Sequence, residues 1–581
     1  MLIVTGVALV VLTWGATVLL LIAVGLLPAV VTRQGPVRLA TLARAMWWGL
    51  TLMTLAVYAA ALWWPLQSTG AAVLLLVLAA LMTLAGVLAV RRRGMRLSLQ
   101  RRTGLLPVAV AAAVSVVALA AAALGPITNI DSGLYHLGAI GYSAQFATIP
   151  GLSNLYGPLG YGTAEFPLAA VLGNGPWGSD GLRLLNGLII SMTVVDLLLR
   201  FTRRRVTVGR SIELVGAGAL LVSMVALADY WVTSPTQDSA VFALTVVTVA
   251  FLADALTSRR SFSADASVAV VLASLMVLLR PTMIAFAAAT LAVLVVRAWS
   301  WRREGETPGL SVAAALVTVT AVLAAGLAAA RDYLLSGWLQ YPLSIHAFDV
   351  PWRAEDPTPL REATLGYHRN PEDLWGSTTG WDWVGPWLSR APTQWETWLF
   401  GLLAVAAVAL LIDASRTTTV RWRLLALCIA PSAAATAAWW LLSPPSFRFA
   451  WGPVFTLAAI PCGWALWRLS ASSARRARTW QRAAVAGFSA GVLVVTVLTL
   501  ATRTEWSDMS ETRQWTWGLS VPYAVAPVPE PPVESRVLPS GLGVVVPVED
   551  ELCWGVFPLC TPQVADSVRL AGATLQQGFL P

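Results

Sequence analysis

Apolar runs of roughly twenty residues recur along this chain, at 2–31, 45–66, 70–90, 104–125, 181–200, 211–231, 239–256, 265–279, 282–297, 309–330, 396–414, 424–442, 449–467 and 484–501. A helix needs about 20 apolar residues to cross the hydrocarbon core of a bilayer, so the pattern predicts about fourteen transmembrane helices. Two of them, 265–279 and 282–297, are parted by Arg280-Pro281, where the proline ring breaks the helix and the guanidinium resists burial. Segment 2–31 has neither a charged start nor a small-residue cleavage site and reads as a span, not a signal peptide.

The polar residues between the runs alternate. Arg33, Arg38 and Arg44, then Arg91 to Arg93 with Arg96, Arg101 and Arg102, open a series of Arg-rich loops. It continues through Arg200, Arg203 to Arg205, Arg210, Arg259, Arg260, Arg297, Arg302, Arg303, Arg416, Arg421 and Arg423, and ends with Arg468, Arg475, Arg476, Arg478 and Arg482. With fourteen spans all of these fall on one side, which the positive-inside rule makes cytoplasmic, so both termini are expected outside. Three long segments, 126–180, 331–395 and 502–581, are then external and are where a site is expected.

Composition agrees. The 581 residues are 57% hydrophobic and 12% charged, against about a quarter charged in soluble domains, which excludes a soluble enzyme. Low charge and high hydrophobicity also exclude a disordered chain. The +9 balance comes entirely from arginine, since there is no lysine, and on a membrane protein it points to anionic headgroups before nucleic acid. Abundant Arg, Ala and Val without Lys suits a high-GC bacterium and its plasma membrane. Cys428 and Cys462 fall in spans and read as packing residues, whereas Cys553 and Cys560 bracket a short external loop where an oxidising compartment favours a disulfide.

Chemistry concentrates in the external segments. Asp131 follows the fourth span and is the first acidic residue of the chain, close to Asn129 and His136. A lone carboxylate there is a candidate general base; it is equally a residue that caps a helix, and the roles do not exclude each other. Tyr135, Tyr142 and Phe146 recur at helical spacing and predict an interfacial helix with an aromatic stripe. The Gly- and Pro-rich stretch 149–167 shapes a loop bearing Asn154, Tyr156 and Glu165, suited to binding a sugar or to packing in a lid. The 331–395 loop adds seven tryptophans and eight acids, as either a carbohydrate surface or an interfacial belt. In the tail, Pro527 to Pro532 read as a stiff linker, followed by a strand around Gly543-Val-Val-Val-Pro in a small cap.

A span, an external loop with Asp just beyond it, a helix on the membrane and then further spans together resemble the GT-C fold of polytopic glycosyltransferases that use polyprenyl-phosphate-linked sugars. Asp131-Ser-Gly-Leu-Tyr135-His136, Pro150-Gly-Leu-Ser-Asn154-Leu, Ser336-Gly-Trp-Leu-Gln-Tyr341-Pro342 and Cys553 to Pro562 are similar to a bacterial group of GT-C-like membrane proteins. The resemblance runs from about residue 104 to the end. It divides the chain into N-terminal additional helices at 1–103, a GT-C-like core at 104–501 and an external segment with its disulfide at 502–581. It implies an all-α polytopic fold, a catalytic Asp131 and inversion at the anomeric carbon. It also implies a second acid in the next external loop, for which Asp238 is the choice, unless Asp238 serves only to cap the seventh span. His136 and Glu165 are further acceptor or metal candidates, and Tyr135, Asn154 and Tyr156 sugar-binding ones.

A polyprenyl-phosphate leaving group needs fixed positive charge. Only twelve arginines lie outside the cytoplasmic set, and Arg280, Arg331 and Arg448 would sit at headgroup depth, where guanidinium–phosphate pairing is natural; snorkelling or an internal ion pair is the other use. The expected partners are the lipid-linked donor, an envelope glycan or lipid acceptor and membrane lipids, with or without a divalent metal (magnesium or manganese), and no nucleic acid. Transport of a lipid-linked glycan and a non-catalytic role in envelope assembly are the alternatives. Transport is disfavoured because Asp196, Asp254 and Asp413 lie near span ends, leaving the bilayer midplane almost bare of ionisable groups.

Overall fold

A computed structural model describes residues 2–32, 36–95, 106–201, 206–228, 231–304, 311–417, 419–471, 487, 490–491, 494, 510–514 and 520–581. The chain is predominantly helical, and twelve helices among the described residues are long and apolar enough to cross a membrane. It is a multi-pass, mostly α-helical membrane protein.

The helices run in order from α1 (Leu2–Val24), its short continuation α2 (Leu26–Val31), α3 (Leu39–Trp63) and α4 (Thr69–Arg92) to α5 (Leu106–Ala122). Three short helices follow, α6 (Leu137–Gln145), α7 (Leu152–Leu155) and α8 (Glu165–Val171). Next come α9 (Leu185–Phe201), α10 (Val208–Val222), α11 (Gln237–Thr257), α12 (Phe262–Leu279), α13 (Ile284–Arg303) and α14 (Ser311–Ser336). The last are α15 (Thr358–Arg369), α16 (Val384–Arg390), α17 (Trp395–Thr417), α18 (Trp422–Leu442) and α19 (Trp451–Ala471). Twelve of the predicted spans are matched by these long helices; the fourth is the shorter α5. The fourteenth, 484–501, lies almost wholly outside the described residues, as do the arginines within 33–35, 96–105, 202–205 and 472–486.

Predicted span 2–31 is broken at Gly25 because α1 and α3 cross at backbone contact. A Cβ on Gly25 would lie 1.9 Å from the Ala45 carbonyl oxygen, and one on Gly49 would lie 1.8 Å from that of Leu21. Small residues are what allow membrane helices to approach so closely. At the centre, α11 is apolar all round and buried at every position from Asp238 to Leu256, as a uniformly hydrophobic helix must be; it packs against α10, α12 and α19. By contrast α1, α4, α14 and α17 turn most of their apolar surface outward, which suits lipid.

The bundle is not bare of charge. Arg44 pairs with Asp265 at 2.6 Å, and Arg200 gathers Asp196 (3.3 Å), Glu213 (2.9 Å) and Asp254 (2.6 Å), all of them buried. Arg44 and Arg200 therefore leave the set of loop arginines facing headgroups. Acids on adjoining helices, with Asp196 one turn earlier on α9, satisfy them internally, as a buried charge requires.

Segments 126–180, 331–395 and the tail meet at one end of the bundle, as the loop alternation predicts. Asn154 Nδ2 donates to the carbonyls of Trp352 (3.0 Å) and Phe579 (3.1 Å). Buried Arg183 donates from Nη1 to the carbonyls of Gly125 (2.9 Å) and Ala526 (3.0 Å), pinning the tail to the end of α5. The strand expected at Gly543 forms as half of the hairpin Val533–Val537/Gly543–Pro547, and Cys553–Cys560 is a disulfide. Cys428 and Cys462 are free and buried.

The aromatic stripe on α6 differs from expectation. Tyr142 is buried against Phe557 of the tail, ring centroids 4.8 Å apart, and Phe146 lies 6.5 Å from the same ring. A protein surface took the place expected for headgroups because the disulfide loop folds back over this helix.

Candidate functional site

Asp131 stands just beyond α5, where Asn129 turns the chain: the Asn129 Oδ1 accepts the Asp131 N–H at 2.7 Å. Residues 132–136 then form a wide π-helical turn, a feature frequent at functional sites. The Asp131 side chain makes no cap bond, so the capping role falls to Asn129 and the carboxylate is left for something else. Its Oδ2 accepts from Arg448 Nη1 at 2.8 Å.

A second pair stands beside the first. Thr236 caps α11 and its Oγ1 donates to Asp238 Oδ2 at 3.0 Å, while Asp238 Oδ1 pairs with Arg280. Arg280 is the residue at which Pro281 stops α12, so the helix break aims its guanidinium at the start of α11. Both guanidinium carbons lie 4.7 Å from the centre of the Phe449 ring. Arg448 also sits 5.6 Å from the Trp231 ring, and the His368 ring at the end of α15 lies 5.2 Å from that of Phe449. The two pairs differ in access: the Asp131 and Arg448 side chains are 24% and 20% exposed, those of Asp238 and Arg280 only 1% and 13%.

Beneath them lies a polar floor. Glu165, the first residue of α8, is wholly buried with both carboxyl oxygens unpartnered. Thr163 and Ala164 bond to the carbonyls of Leu279 and Leu278, which sets Glu165 beside Arg280. His136 is buried, with Nε2 unpartnered and Nδ1 3.3 Å from Ser132 Oγ. Tyr135 packs on His136 and Tyr161, at centroid distances of 4.4 and 5.5 Å.

Burial pushes the Asp131 carboxyl up, but the Arg448 guanidinium, which also donates a hydrogen bond to it, together with His136 and His368 holds the group below the usual carboxylate range. Burial, with Asp238 nearby, raises Glu165 to about 8. Burial lowers His136 to about 4, and burial with Arg448 does the same to His368. Near neutral pH both imidazoles are therefore uncharged and Glu165 is a protonated acid. With the two pairs ionised, two guanidinium charges cancel two carboxylates.

The site thus brings together Asp131, Asp238, Arg280, Arg448, His136, Tyr135 and Glu165 of the residues singled out from the sequence. Tyr156 borders it, its hydroxyl raised to about 12 by burial and by the charges of Glu551 and Asp131. Two candidates lie elsewhere. Arg331 is 5% exposed and donates to Thr148 Oγ1 (2.9 Å) and Ser143 Oγ (3.2 Å) beside a small cavity, away from the two acid–arginine pairs. The Asn154 amide is spent on the two backbone carbonyls that hold the loops together, a joining role that loop composition alone does not reveal. Sequence reasoning gave no role in this site to His368, Phe449 or Trp231, because no local motif ties α15 or the turn before α19 to Asp131.

The two acids singled out beside the arginines are committed to ion pairs, and no group of three or more His, Cys, Asp or Glu side chains converges among the described residues.

No curated protein and no solved structure matches the chain. Residues 7–455, which run from α1 through the site to the first turn of α19, match the family model described as a domain of unknown function, DUF8201, and the chain belongs to that family.

Proposed function

We propose that this protein is a GT-C-type membrane glycosyltransferase that moves a sugar from a polyprenyl-phosphate donor to an envelope glycan or lipid acceptor at the external face of a bacterial plasma membrane. The observation that carries this reading is the partly open Asp131–Arg448 pair beside the deeper Asp238–Arg280 pair, at the end of the bundle where the long loops gather.

A donor phosphodiester brings one negative charge into a site whose own charges cancel. Its anionic oxygen competes with Asp131 for Arg448, and bidentate guanidinium–phosphate bonding favours the exchange. Asp131 then loses the neighbour that weakens it as a base, so donor binding itself raises its basicity. Freed, it takes the proton of the acceptor hydroxyl as the acceptor oxygen bonds to the anomeric carbon. The bond from that carbon to the phosphate oxygen breaks, and its electron pair leaves with polyprenyl phosphate. The charge gained by the phosphate is met by Arg448 and Arg280, placed before the reaction begins. Inversion follows from the direct displacement and rests on the GT-C resemblance. The aromatic rings of Tyr135 and Tyr156 suit contacts to sugar faces. Both termini are assigned to the external side.

The test is a comparison of envelope glycans between wild type, a deletion strain and the strain carrying Asp131→Asn. Loss of one glycan linkage in both altered strains, at normal protein level, supports transfer; unchanged glycans in both point to transport or assembly instead.

A further inference from the structure

The tail presses on the Asp131 turn through one small loop. The Trp554 backbone N–H donates to the Gly133 carbonyl at 2.9 Å. A Cβ at Gly133 would come 2.8 Å from the Trp554 ring, and one at Gly141 would come 2.9 Å from that of Phe557. Both glycines are notches that a larger residue would fill. Leu559 donates its N–H to the Tyr142 hydroxyl at 3.2 Å, and Thr561 Oγ1 donates to the Leu155 carbonyl at 3.2 Å. Gly133 lies between Asp131 and His136, so Trp554 bears on the turn that carries both groups.

The loop and the turn leading into it are also held in an unfavourable backbone form, Trp554 and Leu559 lying inside the loop and Asp550 and Glu551 just before it. Asp550 (φ 58°), Glu551 (φ 53°), Trp554 (φ 44°) and Leu559 (φ 65°) all adopt left-handed conformations without being glycine. Such residues persist only where surrounding structure holds them, and they cluster at clamps and switches. The Cys553–Cys560 bond closes this segment, and Val545 bonds on both sides of Cys560, to Leu559 and Thr561.

We infer that the disulfide-closed loop is a clamp on the site, with Trp554 as a positioning residue that acts through Gly133 to keep Asp131 against Arg448. Reduction by a dithiol breaks the S–S bond, delivers two electrons and two protons to give the Cys553 and Cys560 thiols, and oxidises the dithiol to its cyclic disulfide. Without the closed loop, the left-handed residues relax, Trp554 leaves the Gly133 notch and the Asp131 turn loosens. The inference stands on these contacts and not on sugar transfer.

Carbodiimide labelling of the purified full-length protein, read residue by residue by mass spectrometry across the acid-to-neutral range, tests it, because the reagent attacks protonated carboxyl groups. In the oxidised wild type, Asp131 labels slowly and only at low pH. Trp554→Ala, the Cys553→Ser/Cys560→Ser pair and dithiothreitol-treated wild type are expected to label Asp131 several-fold faster, with the midpoint moved to higher pH. Trp554→Phe is expected to restore slow labelling, and exposed Asp566 and Asp356 serve as unchanged references. Asp131 labelling that stays at the wild-type rate and midpoint after reduction overturns the inference, and the reduced wild type gives that answer even if a variant fails to fold. A shift on reduction in a protein whose deletion leaves envelope glycans unchanged would retire the transferase reading and keep the clamp.

Discussion

Arg448 Nη1 lies 2.8 Å from Asp131 Oδ2, joining the turn after α5 to the turn that opens α19. The pair is half a site. Its neighbour, Asp238 with Arg280, is nearly closed to solvent, so Asp131 and Arg448 are the members an incoming ligand meets first. Replacing Arg448 should therefore affect donor use more than folding. Arg448→Ala is expected to lower transfer by about 10²–10³-fold, the usual cost of losing one transition-state donor, and Arg448→Lys by less, because lysine keeps the charge without the planar fork. Radiolabelled sugar incorporation in membrane preparations, at matched protein level, checks both.

Glu165 gives the site a stability that fails toward alkaline pH. Burial raises its carboxyl to about 8 from an ordinary 4.5, so between those values the folded state holds a proton that the unfolded chain has released. Stability from this group is complete below the unfolded value and is lost as pH rises through the folded one. Glu165→Gln keeps the shape without the titration. Melting curves should show wild type losing ground to Glu165→Gln as pH rises from about 4.5 to about 8, and parallel curves would contradict the assignment.

His136 works in the opposite direction. Its imidazole is lowered to about 4 by burial, so acidification protonates the unfolded chain first and the folded state loses stability as pH falls below the ordinary histidine value. His136→Gln should flatten part of the acid limb of the melting profile.

Arg200 holds three buried acids at the other end of the bundle. Arg200→Met strands them and should cost about 3–5 kcal/mol, the penalty for breaking a buried charge network by removing one partner. Reduced yield and a lower melting temperature in detergent are the readout, and a combined change that also neutralises Glu213 and Asp254 should recover part of the loss.

The apolar runs and the Arg-rich loops made the bundle legible, since bilayer thickness and loop charge act on local sequence. Asp131, Asp238, Arg280 and Arg448 were legible for a similar reason: few ionisable residues lie near the expected external boundary, so each stands out. What local sequence could not carry was pairing across the chain. Arg44 and Arg200 look like loop arginines until Asp265 and Glu213 are seen on adjoining helices. The stripe of Tyr142 and Phe146 has the composition of a membrane-facing surface, and only the fold-back of Phe557 shows what covers it.

The most direct measurement is transfer of sugar from a polyprenyl-phosphate donor by membranes containing wild type or Asp131→Asn. Asparagine keeps the size of the side chain and a hydrogen-bond acceptor for Arg448 but cannot take a proton. The account predicts a fall of about 10²–10⁴-fold, the span typical of a general base, with protein level and melting temperature close to wild type. Wild-type transfer by the Asp131→Asn protein would contradict it.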